Sequence, residues 1–515
     1  QTGDQPLFGP NGSVIVANGE IYNYVELKTE FPGVNFATKS DCELPLYAYA
    51  RNGARFAQDL RGMYGIGMQG SAGDAYLTRD PFGIKPLYYA KIEGGVIFAS
   101  EPDVILKTGL VQRRIRASAA TELLQLQFTT GRPTIFDGIE RVLPGETIAV
   151  KNGALGERRI EPALPDGPEL DLSEDEALKK LDDVLMNSVL VHQRSDVPYG
   201  LFFSGGIDST AILACMARLN ERPVRAFTAR FPATSKSEEA SFARDMAKSV
   251  GAEHLEVDVT AEKFWSELPA IVKAMDDPAS DYAIVPTYLL AQEAAKEMKV
   301  VLCGEGGDEL FGGYGRYRAA MRPWWLGGRK IRARGFLDGY DVLRDTSNAW
   351  RDGIAAAEST NAGRGRTRLQ QAQAVDCVDW LPHDLLNKLD RCLMAHSMEG
   401  RTPLLDPVVA DFAFRLPDKF KVRNGLGKYL LRRWLEQALP NSRPFAPKKG
   451  FTVPVEEWIA TRAGELAPLM ARSTGIAEVC YPDAVEKLFR SHTDDDRRKG
   501  FACWQLLFYA LWHRI

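Results

Sequence analysis

Residues 201–210 read LFFSGGIDST: an apolar run stops at a serine and two glycines, and a carboxylate follows two residues later. In a parallel α/β sheet, ligands sit beyond the carboxyl ends of the strands. Glycines let backbone N–H groups approach an anion closely, and a helix beginning near Asp208 adds about half a positive charge at its N-terminus. The chemistry this suits is phosphate binding. No lysine follows the glycines, so the stretch is not the GxxxxGK[ST] loop. Asp208 would repel a phosphate unless a cation lay between them, which argues for Mg²⁺, an ion that takes oxygen ligands and bridges to phosphates. A plain strand–turn–helix with a capping aspartate is the reading that a lone SGG would leave standing. A second stretch, VVLCGEGGDELFGGY (300–314), is again a strand running into glycines, and it carries Glu305, Asp308 and Glu309. With its strand beside the first, Asp208 and Asp308 would be paired carboxylates around one or two Mg²⁺. An acidic surface turn is the plainer alternative.

The elements that must position these residues fall into two regimes. Up to about residue 155 the chain is β-rich: GSVIVANGEIYN, GDAYLTRD, KPLYYAKI, GVIFAS and ETIAV are short apolar or alternating runs bounded by turn residues, which predicts stacked antiparallel sheets. Residues 154–172, rich in Pro, Gly and charge, read as a linker. Ser173 is a helix N-cap, with Asp175 and Glu176 in the first turn. Strand candidates at 199–203, 224–231, 254–259 and 299–304 then alternate with helical stretches, the pattern of a parallel sheet covered on both faces. From about 315 the chain reads as mainly helical, and Trp504, Phe508, Leu511 and Ile515 form one stripe of a core-packing helix. The basic GRKIRARG (328–335) reads as a solvated loop.

Composition narrows the classes. The chain has 515 residues, enough for two or three cores. Lys plus Arg is 64 against 68 Asp plus Glu, a net charge of −4, which gives no support for nucleic-acid binding. No apolar run approaches the roughly 18 residues of a membrane helix. The seven cysteines are scattered with no CxxC pair, which argues against a disulfide framework or zinc site and for a reducing, cytoplasmic setting.

SGGIDS resembles the pyrophosphate-binding loop of N-type ATP pyrophosphatases, and with the second turn the chain resembles the glutamine-dependent asparagine synthetases. SMEGRTPLLD (397–406) is similar to that family's helix-and-loop segment near the acceptor site, and KYLLRRWLEQALPNSRPFAPKKGFTVPVEEW (428–458) to its C-terminal lysine segment. VANGEIYNY (16–24), KSDCE (39–43) and RDPFGIKPLYY (79–89) resemble its glutaminase domain. The resemblance implies an α+β N-terminal domain over 1–160, a sandwich of two antiparallel sheets flanked by helices, of the N-terminal-nucleophile type. An α/β synthetase domain over 173–515, with a helical C-terminal part, would follow it.

Residue by residue, it implies that Asn18 and Gly19 form the oxyanion hole of glutamine hydrolysis and that Glu20 and Asp41 hold the glutamine α-amino group. Ser204, Gly205, Gly206, Asp208 and Ser209 would cradle pyrophosphate, while Phe203, Ala229, Cys303 and Gly304 contact the nucleotide at strand exits. Asp208 and Asp308 would bind Mg²⁺. Glu305 would assist acyl-adenylate formation, and Lys448, adjacent to Lys449, would steady the developing negative charge, with Lys428 a weaker candidate for a supporting contact. ATP and Mg²⁺ are the implied cosubstrate and metal, aspartate the simplest acceptor, and a sugar acid, peptide or secondary-metabolite carboxylate the alternative. A non-catalytic glutamine or nucleotide sensor on the same folds is the rival of another class. Relatives often form homodimers, though the sequence carries no interface signal. The family's nucleophile is an N-terminal cysteine, and by family spacing it would lie about 55 residues before Gln1, together with an arginine that grips the glutamine carboxylate.

Overall fold

The computed structural model describes residues 3–71, 73–232, 237–362, 364–446, 453–493 and 496–515. The first part contributes nine strands: β1 (Leu7–Phe8), β2 (Val14–Ile21), β3 (Gly62–Gln69), β4 (Ala75–Arg79), β5 (Tyr88–Ile92), β6 (Gly95–Ala99), β7 (Ile139–Arg141), β8 (Glu146–Lys151) and β9 (Ala154–Ile160). They form a six-stranded antiparallel sheet, β1-β2-β3-β4-β8-β9, and a three-stranded sheet, β6-β5-β7. Strand β3, GMYGIGMQ, is missing from the sequence reading because its glycines weaken strand propensity. They are required by packing: a Cβ on Gly67 would stand 2.2 Å from the Phe98 ring. Strand β9 corrects the linker assignment at 154–160. Its charged residues Glu157, Arg158 and Arg159 suit an edge strand, and their polarity resembles that of a linker.

Helix α1 (Glu174–His192) opens with a full capping box: Ser173 Oγ accepts from Glu176 N while the Glu176 carboxylate accepts from Ser173 N at 2.8 Å. Strands β10 (Tyr199–Phe202), β11 (Arg225–Arg230), β12 (Glu253–Asp258), β13 (Val300–Leu302) and β14 (Glu399–Arg401) form a parallel sheet in the order β12-β11-β10-β13-β14. Strand β14 lies in the segment read as helix and loop; three residues are too few to show a period-2 pattern. Helix α2 (Ile207–Leu219) follows β10, and the short α3 (Gly307–Phe311) follows β13. The chain moves from β10 to β11 on one side and later to β13 on the other, so β10 and β13 flank the topological switch point, where a crevice opens beyond the strand ends.

The C-terminal part is helical. A π-helical stretch, Asp376–Leu385, leads into α4 (Leu386–Met394), and α5 (Tyr429–Ala438) and α6 (Arg497–Trp512) follow. Trp504 and Phe508 are fully buried, whereas Ile515 lies past the end of α6 and is exposed. Arg332, in the segment read as a solvated loop, stacks on the Trp380 ring at 3.8 Å and lies 3.8 Å from Asp376. All seven cysteines are free and buried. No helix of the described residues is long and apolar enough to cross a membrane.

The two parts lock through buried ion pairs. Arg141 of β7 grips Asp277 in two parallel bonds, Nε–Oδ2 2.8 Å and Nη2–Oδ1 2.9 Å, with Tyr88 donating to the same carboxylate at 2.8 Å. Lys85 reaches Asp390 of α4 at 3.1 Å, both buried. Breaking one side of such a pair strands the other charge in the interior. Arg141→Met is expected to cost about 3–5 kcal/mol, read as a lower urea midpoint for the whole chain.

Candidate functional site

The turns after β10 and β13 meet over the switch point. Gly205 takes a φ of +70°, which turns the chain into α2. Ser204 Oγ accepts from Gly206 N at 3.2 Å and lies 3.2 Å from Ser209 Oγ, so both hydroxyls face the same turn. Phe203 is tied to β11 by its N–H to Phe227 O at 2.8 Å, and buried Ala229 lies toward the carboxyl end of β11. Across the crevice, Cys303 N donates to Arg401 O of β14 at 2.8 Å. The two turns touch: a Cβ on Gly304 would lie 3.0 Å from Ser209 N, and one on Gly307 would lie 2.3 Å from Asp208 Oδ1. Only glycine permits that approach.

Lys428, at the start of α5, inserts its ammonium between the paired carboxylates, 2.5 Å from Asp208 and 2.6 Å from Asp308. Burial disfavours the ammonium, but Asp208 and Asp308 outweigh it and hold its pKa above the ordinary lysine value. The sequence offers Lys428 only a supporting contact; the fold places it between the two carboxylates. Two carboxylates converging on one positive locus fit Mg²⁺, which keeps waters and takes phosphate oxygens for its remaining positions. Among the described residues no group of three or more His, Cys, Asp or Glu could hold a metal unaided. Lys448 and Lys449 lie outside the described residues.

Glu305 lies beside this pair, half-buried, 3.9 Å from the Lys388 ammonium, which in turn bonds Asp281 at 3.0 Å. Desolvation raises the Glu305 pKa against the pull of Lys388, and Asp281, Asp308 and Asp208 push it the same way. Lys388 itself stays charged, since Asp281 and Glu305 overcome its burial. Neither Lys388 nor Asp281 was singled out in the sequence. Leu386 through Leu393 of α4 are all buried, including Lys388, Asp390 and Arg391. The available signal was three charges within four residues of a leucine-rich stretch.

Asn18, Gly19 and Glu20 lie on β2, and Asp41 is held against that strand by accepting from Ile21 N at 2.6 Å. A Cβ on Gly19 would meet Met63 O at 2.0 Å, so β3 runs against a bare backbone there. Cys42 is buried beside Asp41, with Sγ 3.9 Å from the carboxylate, and burial pushes its thiol well above the usual range. That is the opposite of an activated nucleophile. Glu20 faces the second domain: Arg401, at the end of β14, lies 3.1 Å from its carboxylate. Burial raises the Glu20 pKa to about 8; Arg401 opposes the shift, while Asp41 and Glu399 add to it.

An antiparallel-sheet domain carrying Asn18, Gly19 and Glu20 on β2, locked to a parallel sheet whose glycine-rich turns meet at a switch point, fits a class: glutamine-dependent ligases that form carbon–nitrogen bonds. The sequence comparisons agree. The asparagine synthase family pattern matches residues 180–514, and that of the glutamine amidotransferase domain matches residues 1–160. Asparagine synthetase (glutamine-hydrolyzing) 1 of Bacillus subtilis (strain 168) is 32% identical over 558 residues, covering 100% of this chain and 88% of the relative. A putative asparagine synthetase (glutamine-hydrolyzing) of Mycobacterium tuberculosis (strain ATCC 25618 / H37Rv) is 34% identical over 565 residues, 99% of this chain and 85% of the relative. Asparagine synthetase B (glutamine-hydrolyzing) of Escherichia coli (strain K12) is 28% identical over 486 residues, 89% and 73%. The chain belongs to the asparagine synthase family, whose members use ATP as substrate.

The Glu20 environment has a measurable consequence. A carboxyl with a pKa near 8 in the folded chain and 4.5 in its ordinary state binds its proton more tightly when folded. Its contribution is therefore fully present below pH 4.5 and lost as pH rises through about 8. Glu20→Gln, neutral throughout, is expected to flatten the fall in denaturant midpoint between pH 5 and pH 8.5; an unchanged slope would place the titration elsewhere.

Proposed function

We propose that the protein makes an amide from a carboxylic acid, with glutamine as the nitrogen donor and aspartate as the acceptor. The glutaminase reading occupies residues 1–160 and the synthetase reading 173–515. ATP lies in the crevice with its phosphates over Ser204–Ser209, and the strand exits at Phe203, Ala229, Cys303 and Gly304 meet the nucleotide through backbone. Asp208 and Asp308 hold Mg²⁺, which when bound supplies the positive charge that offsets the triphosphate. Lys428 keeps the two carboxylates together and offsets half of their charge before the metal and nucleotide arrive. The acceptor carboxylate attacks the α-phosphorus, pyrophosphate leaves, and an acyl-AMP forms beside Glu305. Ammonia then attacks the acyl carbon and AMP leaves. Lys448 is assigned to the developing charge on family resemblance alone.

On the other side of the interface, the Asn18 side-chain amide and Gly19 N–H stabilise the oxyanion of glutamine hydrolysis, and Glu20 and Asp41 receive the α-ammonium. That ammonium would compete with Arg401 for Glu20. The observation that carries the synthetase reading is the meeting of two strand-exit turns at a switch point with Asp208 and Asp308 on one buried cation.

Incubation with ATP, Mg²⁺, ammonium and a panel of carboxylic acids, with pyrophosphate measured, tests it. Release with aspartate alone is expected. Release only with another acid would change the acceptor, and no release with any acid would favour a sensor. Asp308→Asn is expected to abolish ammonium-dependent synthesis, and full activity in that variant would remove Asp308 from the metal site. Lys428→Met is expected to lower the thermal midpoint in the absence of Mg²⁺, because two converging, partly buried carboxylates lose their counter-charge. Added Mg²⁺ should recover more of that loss than it adds to the unaltered protein.

A further inference from the structure

The Asn18 amide is held by a chain of contacts that crosses into the other domain. Asn18 Nδ2 donates to Ser100 Oγ at 3.2 Å, just beyond β6. The carbonyl of Ser100 accepts from Arg391 Nη2 at 2.8 Å. Arg391 belongs to α4, its side chain is 4% exposed, and Asp276 fixes it with an oxygen 2.8 Å from Nε. The guanidinium also lies 3.7 Å from Glu101, the residue after Ser100. Three residues earlier on the same helix, Lys388 faces Glu305.

An asparagine side chain ends in a torsion with broad, shallow minima, so an untethered amide samples many orientations. An oxyanion donor must instead point at one place, within about 2.7–3.1 Å of the developing charge. The Asn18 NH₂ group carries two hydrogens. One committed to Ser100 fixes the plane of the amide and leaves the second for the oxyanion. Ser100 can serve only if its own backbone is held, and Arg391 holds it from the synthetase domain.

We propose that Ser100, clamped by Arg391, is a positioning residue for the Asn18 oxyanion donor, so the synthetase domain helps set the glutaminase site. This rests on the reading of Asn18 as a donor. Ser100→Ala leaves the donor in place but free to rotate, which should cost less than the 10²–10³ for deleting a donor outright, about 10- to 50-fold in kcat for glutamine hydrolysis. KM for glutamine should stay within about twofold, because ground-state binding does not use this bond. Ser100→Thr keeps the hydroxyl and should restore kcat. Arg391→Met should reproduce the Ser100→Ala defect, and Arg391→Lys should lessen it.

The measurement is steady-state glutamine hydrolysis by the natural full-length protein, with ammonium-dependent synthesis of the Ser100 variants as the control. A fall in kcat for Ser100→Ala, with KM and ammonium-dependent synthesis retained and the threonine variant recovered, supports the proposal. An unchanged kcat, a change confined to KM, or an equally defective threonine variant would overturn it and leave the glutaminase reading intact. An unaltered protein that makes amide from ammonium but never hydrolyses glutamine would remove the glutaminase reading and this proposal together. The serine variants carry the test if the buried Arg391 variants fail to fold.

Discussion

The synthetase site depends on a close approach of two backbones. Asp208 and Asp308 come from turns on neighbouring parallel strands, and they share one ammonium only because Gly307 and Gly313 leave room. A Cβ at either position would stand 2.3 Å or 1.8 Å from a carboxylate oxygen. Two acidic groups so close would repel, and one would take up a proton, unless positive charge lay between them. Lys428 supplies it, from a helix more than a hundred residues further along the chain. The sheet order, the glycines and α5 together create a cation-seeking locus at the edge where a nucleotide would bind.

The second constraint is the charge buried between the domains. Arg141 with Asp277 and Lys85 with Asp390 each join groups that are expensive to desolvate and tolerable only when paired. Such contacts have one good register, so they fix how the antiparallel domain sits on the parallel sheet. Glu20 and Arg401 extend this network to β2, and Glu305 and Lys388 extend it to the crevice. Helix α4 supplies Lys388, Asp390 and Arg391, and it therefore touches both sites.

How far the sequence could be read depended on whether local physics was enough. The capping box at Ser173 and Glu176 was legible because it satisfies orphan helix donors within four residues. The strands ending at Phe202 and Leu302 were legible because apolar runs stop at glycines that only a turn requires. Strand β9 reads as linker in the sequence, since an edge strand bearing Glu157, Arg158 and Arg159 has a linker's polarity. Strand β3 escaped because Gly62, Gly65 and Gly67 serve packing rather than propensity. Arg332 reads as solvated in GRKIRARG, and only the position of Trp380 makes it a stacked, mostly buried group.

By itself the sequence determined the two-domain order, the glycine turn after β10, the acidic partner turn and the NGE stretch on a strand. Each follows from residue types at short spacing, where backbone geometry leaves few options. The tertiary structure decided that β10 and β13 are neighbours, that Lys428 bridges their carboxylates, that Lys388 meets Glu305, and that Arg401 and Arg391 reach the first domain. Those pairings join residues about 80 to 380 positions apart. Their physical cause is the need of each buried charge for an opposite one, and no local pattern states which distant residue will meet that need.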